Sequence, residues 1–366
     1  MTATPPFPDA PEDVTAEWLT AALRTTDPTA EVTGVEVLAR HAGTTGRLRL
    51  GLTHAPGAAG PASVFVKLPP FEEGQRKLVA ATDMGRREAR FYAELAGEVP
   101  LRVPGCHYAA HGEERTEYVM VLEDLEASGC RFTDRADPGG AEHAGKVVEG
   151  LGRLHAHFWE DARFGDGTLD WVRPAMRGKR GADFVAMAKE QFAAESPPLF
   201  AELCDLYIEH ADAVVECWDE GETTLVHGDT HSGNQFVDGD AVGLYDWAVI
   251  SRSPGVRDLA IFLGNSCATE LRREHEADWL AAYRRVLVDA GVDAPPADVL
   301  FDRYRRCVLY AWIAATTTAA MGSRWQPIEV GRAGMARATT ACADLDTLGA
   351  LRALARSRAP ELETSR

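Results

Sequence analysis

Between two apolar ends, Leu225 and Phe236, the chain reads LVHGDTHSGNQF. Polar groups packed this densely are costly beside hydrophobic strands unless they have partners or a chemical task. Asp229 and Asn234 stand five positions apart, and the segments NQFV and VGLYD can close into a hairpin through Asp238, Gly239 and Asp240, since Asp-Gly favours tight turns. Such a hairpin places Asn234, at the start of one strand, near Asp246, at the end of the other. Asp229, Asn234 and Asp246 then offer three convergent oxygen-bearing side chains. Hard oxygen ligands without thiolates suit Mg²⁺, which keeps several waters and needs only one or two carboxylates plus substrate phosphates.

The spacing matches a phosphoryl-transfer loop of the form H-x-D-x-x-x-x-N followed by a metal-binding Asp. In that scheme Asp229 takes the proton of an attacking hydroxyl, and Asn234 and Asp246 hold metal. Gly228 permits an unusual backbone path before the base, and His227 orients the loop by hydrogen bonding. Other chemistries compete for the same residues. An isolated Asp-x4-Asn pair also serves as a cap or turn. His227 and His231 have the spacing of a zinc pair on a helix, but Gly228, Gly233 and the flanking strands oppose a helix. Ser232 lacks the G-x-S-x-G pattern of a nucleophile elbow.

Such a loop needs a cation for the phosphates and elements to carry it. SVFVK puts Lys67 at the end of an apolar strand, where it resembles the lysine of V-A-I-K; the bland reading is a solvated rim residue. In RREARFYAELA, Glu88 shares a helical face with Phe91, Tyr92 and Leu95 by i+3, i+4 and i+7 spacing. A carboxylate on an apolar face must be paired or neutralised, and Lys67 is the expected partner. Glu94 is the alternative, and Glu88 could instead pair with Arg87 or Arg90. Upstream, Gly43, Thr44, Thr45 and Gly46 lie between two predicted strands, where backbone N–H groups and the threonine hydroxyls could approach phosphates. In YVMVLEDL, the backbone of Glu123, Asp124 and Leu125 sits where a hinge would read an adenine edge; an ordinary central strand with an acidic exit is the competing reading.

The 366 residues suffice for two lobes with a substantial core. A hydrophobic share of 45% with 26% charged residues is that of a soluble globular chain. The net charge of -18 argues against nucleic acid and anionic membrane surfaces as partners. Seven scattered cysteines without a CxxC pair fit a reducing compartment. The Pro-rich, acidic start MTATPPFPDAPEDV does not read as a signal sequence, and no apolar run is long enough for a membrane span. A cytoplasmic location is expected.

Periodicity predicts a short helix over 14–23, strands from 32 to 67, a helix over 76–96, and the strand YVMVLEDL. Helices are predicted at 141–160, 181–218, 257–264, 270–290, 297–321 and 330–358, interrupted by a strand-rich island at 224–250. The reading is an α+β chain: a flexible lead at 1–12, a small β-rich first lobe to 125, and a larger, mainly helical lobe over 126–366. The first would bind nucleotide, and the second would carry catalysis and the acceptor.

FVK, REARFYAEL, VMVLEDL, LGRLHAHFW, VHGDTHSGNQF, LYDW and RDLAIFL occur in this order. The set resembles the aminoglycoside phosphotransferase/choline kinase superfamily, most closely its ecdysteroid-kinase-like branch, over about residues 35–320. The resemblance implies a protein-kinase-like two-lobed fold, ATP and Mg²⁺ as cofactors, and a small-molecule hydroxyl as acceptor. It implies Asp229 as base, Asn234 and Asp246 as metal ligands, and Lys67 with Glu88 as the phosphate-holding pair. It also implies Asp258 as a brace for the loop and the His155 segment as a packing helix. Asp246-Trp247-Ala248 replaces D-F-G, and no A-P-E segment follows, which disfavours protein substrates. Acceptor walls are sought among Trp171, Phe184, Phe192 and Phe200 and in 310–325, although such aromatics also build cores. WVRPAMRGKR is a basic stretch that is either solvated or faces an anion. Antibiotic resistance by O-phosphorylation and a nucleotide-binding pseudokinase are the alternative functions; retention of Lys67, Asp229, Asn234 and Asp246 counts against the second.

Overall fold

The structure, a computed structural model, describes residues 5–43, 45–133, 140–175, 180–322 and 327–354. Thr44, 176–179 of the basic stretch, 323–325 of the candidate acceptor wall and 355–358 of the last predicted helix lie outside them. The chain forms two compact units. One comprises Met1–Phe132 and Phe236–Ile250, the other Thr133–Gln235 and Ser251–Arg366. The architecture is α+β and two-lobed, a small sheet-based lobe and a larger helical one.

The first unit opens with α1 (Ala16–Leu23), capped by Thr15, whose side chain accepts from the Trp18 N–H. Trp18, Leu19, Ala22 and Leu23 form its buried stripe. There follow β1 (Val32–His41), β2 (Gly46–His54) and β3 (Ser63–Leu68), then α2 (Glu73–Thr82), α3 (Met84–Glu94), β4 (Cys106–His111) and β5 (Tyr118–Glu123). The strands make one antiparallel sheet in the order β1-β2-β3-β5-β4. Side chains alternate between its faces. Leu48, Leu50, Val64, Val66 and Leu68 join the α1 stripe in one core, which leaves Lys67 on the opposite face with α3.

The helix expected over 76–96 is two helices. Asp83 breaks it with φ 59, a left-handed conformation that a short polar side chain tolerates. Its carboxylate holds the Arg86 guanidinium at 2.9 and 3.0 Å. α3 thereby takes its own direction and presents Glu88, Phe91 and Tyr92 as a buried face.

After β6 (Arg131–Phe132) the second unit begins with α4 (Ala141–His157), α5 (Arg180–Phe192) and α6 (Pro198–Trp218). The single helix expected over 181–218 is divided before Pro198, which occupies the first turn of α6, where proline's missing N–H is harmless. β7 (Thr224–Val226) leads to the polar loop. β8 (Gln235–Asp238) and β9 (Ala241–Leu244) form the expected hairpin, with β6 on its outer side. β10 (Ser251–Ser253) pairs with β7. The chain continues through α7 (Val256–Ile261), a π-turn at Phe262–Ser266, α8 (Thr269–Asp289), α9 (Ala297–Ala320) and α10 (Ile328–Asp344), with further helix at 347–354. α9 is central: α5, α7 and α10 pack on it, and it buries Tyr304, Val308, Leu309 and Trp312. Among the described residues, no helix is long and apolar enough to cross a membrane.

Candidate active site

In the first unit, the pleat of β3 turns Lys67 away from the Val66 and Leu68 core and towards α3. Its Nζ donates to Glu88 Oε1 at 2.6 Å and to Asp246 Oδ1 at 3.0 Å. Lys67 is 5% exposed and Glu88 fully buried, whereas the Asp246 side chain keeps about a third of its surface open, at 35%. Burial works against the Lys67 ammonium, but the charges of Asp246 and Glu88 outweigh it and raise its pKa. Burial pushes the Glu88 carboxyl up to about 7, against the pull of Lys67. Asp246 adopts φ 65, a left-handed conformation that, as at Asp83, a short polar side chain tolerates. Beside it, Trp247 stacks on Phe91 with centroids 4.1 Å apart and planes 10° from parallel. Phe91 lies one turn beyond Glu88 on α3, so one stack fixes the helix that carries Glu88 against the segment that carries Asp246. Glu94 faces elsewhere, bound to Arg90 at 2.6 Å.

Of the glycine turn, Gly43, Thr45 and Gly46 are described. Thr45 is buried. Gly46 has a packing reason for its identity, since a β-carbon there would sit 2.4 Å from the Phe71 ring and 2.8 Å from the Pro69 carbonyl oxygen. At the end of β5 the two acids serve as braces. Glu123 receives Arg102 Nη2 at 2.6 Å and the Gly105 N–H at 2.8 Å. Burial of its carboxylate is more than offset by these donors, which hold it down at about 2. Asp124 receives Arg49 Nε and Ser63 Oγ, both at 2.7 Å. Arg102 also reaches Asp238 at 2.8 Å, tying this segment to the β8–β9 hairpin. The Leu125 carbonyl accepts from the Cys130 N–H at 2.9 Å.

In the second unit, the loop after β7 is held by backbone. Gly228 has φ 84, a conformation that glycine adopts without a steric penalty. This turns two successive N–H groups towards Asp258, whose Oδ2 accepts from His227 N and Oδ1 from Gly228 N, both at 2.8 Å. Thr230 Oγ1 donates to the Asp258 carbonyl at 2.7 Å. His155, fully buried on α4, lies 3.3 Å from Asp258 Oδ2 through Nε2 and 2.9 Å from the Tyr283 hydroxyl through Nδ1. His227 Nδ1 accepts the Asp229 N–H at 3.2 Å. The Asp229 side chain stays 43% exposed, with His231 Nε2 3.4 Å from its Oδ2, so an incoming group can reach it.

Asn234 is buried, and its Nδ2 donates to the Asp229 carbonyl and to Asp229 Oδ2 at 2.9 and 3.1 Å. Both partners are acceptors, so the amide orientation is forced, and the Asn234 oxygen is the atom that can serve a cation. Among the described residues, no group of three or more His, Cys, Asp or Glu side chains is gathered for a metal. Mg²⁺ needs no such group: a carboxylate and an amide oxygen suffice beside substrate phosphates.

The sequence reading did not anticipate Thr230, Tyr283 or the Trp247–Phe91 stack. Threonine and tyrosine give no local pattern when their partners are 28 and 128 residues away. Of the candidate acceptor walls, Phe192 and Phe200 are core residues, at 3% and 1% exposure, and Phe200 packs edge-on against Trp312. Trp171 is also buried, and Phe184 is partly open.

A family model described as "Phosphotransferase enzyme family" matches residues 57–295. The chain belongs to that family, and it is an enzyme of the phosphotransferase type. Solved structures share its fold at low identity. The GDP and kanamycin complex of aminoglycoside 2″-phosphotransferase IIIa is 15% identical with a TM-score of 0.51, covering 89% of this chain and 98% of that one. Plasmodium vivax ethanolamine kinase is 11% identical with a TM-score of 0.53, covering 93% and 91%. Choline kinase from Cryptosporidium parvum is 11% identical with a TM-score of 0.52, covering 89% and 92%. Aminoglycoside, choline and ethanolamine kinases are all among these structures; the likeness is one of fold and singles out no branch, the ecdysteroid-kinase-like one included. No curated protein matches the sequence.

Proposed function

We propose that this phosphotransferase moves the γ-phosphate of ATP to a hydroxyl of a small molecule, with Mg²⁺ as cofactor. The observation that carries the reading is the buried Lys67, gripped by Glu88 on one side and Asp246 on the other. A buried lysine held only for stability needs one carboxylate. Here a second carboxylate, partly open, stands beside the lysine, so a metal cation on Asp246 and the ammonium of Lys67 can together receive the phosphates of a nucleotide.

Lys67 orients the triphosphate, and Glu88 keeps Lys67 charged and in place. Asp246 and Asn234 would hold Mg²⁺, which when bound neutralises phosphate charge as the γ-phosphoryl group leaves. Asp229 accepts the proton of the acceptor hydroxyl as its oxygen bonds to the γ-phosphorus. The bond from that phosphorus to the bridging oxygen breaks, and ADP departs with the electron pair. His227, Asp258 and Thr230 act by fixing the Asp229 backbone. The GDP in the kanamycin complex supports a purine nucleotide here, and the aminoglycoside, choline and ethanolamine enzymes support a small acceptor.

The first test is nucleotide-linked stability. Mg-ATP at about 100 times its dissociation constant should add roughly 2.7 kcal/mol to the unfolding free energy. Asp246→Ala should lose most of that gain while remaining folded. A full Mg-ATP gain in the folded variant would remove Asp246 from the metal site.

A further inference from the structure

The start of β2 carries a second cation on the sheet face that holds Lys67. Antiparallel register sets Arg47 on β2 directly opposite Lys67 on β3, and directly opposed residues project from the same face of a sheet. That face is the one on which Lys67 meets Glu88 and Asp246. Arg47 is close enough for its charge to act on the Glu88 carboxyl. Its guanidinium folds back over the turn: a β-carbon at Gly43 would lie 2.6 Å from Arg47 Nη2.

The chain pairs its guanidinium groups widely. Arg49, two residues on and on the same strand, binds both Asp124 and Glu126. Among the described residues, Arg47 makes no ion pair, and its buried Nε has no hydrogen-bond partner. A buried charged donor without an acceptor costs about 1–3 kcal/mol or more, so an unmet acceptor is the natural explanation. Among the protein's own charges on this face, Lys67 stands against both Glu88 and Asp246, so a second cation would favour a polyphosphate. With Arg47 the two cations balance the two carboxylates.

Resting on the phosphotransferase reading above, we infer that Arg47 is a phosphate-binding residue. It supplies a forked guanidinium, lying beside Gly43, to the polyphosphate of the nucleotide. A planar guanidinium offers the paired N–H donors that phosphate oxygens accept.

The experiment is equilibrium binding of a non-hydrolysable ATP analogue with Mg²⁺, and of adenosine, to wild type, Arg47→Ala, Arg47→Lys and Lys67→Ala. GTP and guanosine analogues run in parallel. Arg47→Ala should weaken triphosphate binding about tenfold to a hundredfold, with adenosine affinity unchanged within twofold. Arg47→Lys should recover part of the loss. Circular dichroism and chemical denaturation establish that each variant is folded, and Arg47→Met, which keeps the apolar stem, replaces Arg47→Ala if that variant is not. Unchanged triphosphate affinity in a folded Arg47 variant, with Lys67→Ala impaired, would overturn the assignment and leave the phosphotransferase reading standing. Equal loss of triphosphate and nucleoside would also overturn it, since that marks a distorted lobe. Wild-type protein that binds none of the nucleotides would overturn both.

Discussion

In the first unit, charge is held by charge. Lys67, Glu88 and Asp246 come from a strand, a helix and the segment after a hairpin, separated by 21 and 179 residues, and they meet through side chains. In the second unit, the Asp229 loop is held by backbone: two N–H groups on the Asp258 carboxylate and a threonine hydroxyl on its carbonyl. The Asp229 carboxylate itself is left partly open. The contrast is the one that the roles proposed for each would require. A phosphate-holding cation must be desolvated and oriented, which demands buried counter-charges. A base must keep a lone pair free for substrate, so its position has to be fixed through the main chain around it.

This difference predicts different responses to mutation. The largest effect on stability should come from the backbone-held site. Asp258→Ala leaves the buried N–H groups of His227 and Gly228 without acceptors, at a cost of about 2–6 kcal/mol. Denaturant unfolding measures this directly. A loss well under 1 kcal/mol would mean that water or another acceptor takes over and that Asp258 does not govern the loop.

The charge-held site should respond through its partners instead. A double-mutant cycle on Mg-ATP affinity with Lys67→Ala and Glu88→Ala should show coupling of about 0.5–3 kcal/mol, the range for contacting residues. Additive losses would mean that Glu88 packs beside Lys67 without controlling it, leaving Asp246 as the partner that matters.

The two regions also differ in how far they could be read from sequence. The Lys67–Glu88 pair was legible because two periodicities cross there: strand alternation sets Lys67 on the face opposite Val66 and Leu68, and helical spacing buries Glu88. The β8–β9 hairpin was legible from its Asp-Gly turn. The Lys67–Asp246 contact was not, since nothing local links residues so far apart. The role proposed for Arg47 is not legible because RLRL reads simply as an alternating strand, and the surroundings of each arginine are decided by tertiary structure. The break at Asp83 escaped because aspartate is an ordinary helix residue until its backbone turns left-handed. The acids Glu123 and Asp124 marked the strand end correctly, but their partners Arg102 and Arg49 come from other parts of the sheet lobe. The aromatic residues Phe192 and Phe200 carried no sign to distinguish core from pocket, and the structure places both in the core.

The central claim is that Asp229 is the base of a phosphoryl transfer. It is tested most directly by acceptor-dependent ADP release from Mg-ATP across a panel of aminoglycosides, amino alcohols and other small hydroxyl compounds. Wild type and Asp229→Asn are compared on any compound that supports turnover. Asparagine keeps the size and one acceptor oxygen of Asp229, so fold and nucleotide affinity should be retained. Turnover should fall by about 10²–10⁴-fold, the usual share of general-base catalysis, towards the lower end if the transition state is loose. A folded Asp229→Asn protein that binds Mg-ATP normally and turns over at near the wild-type rate would contradict the account.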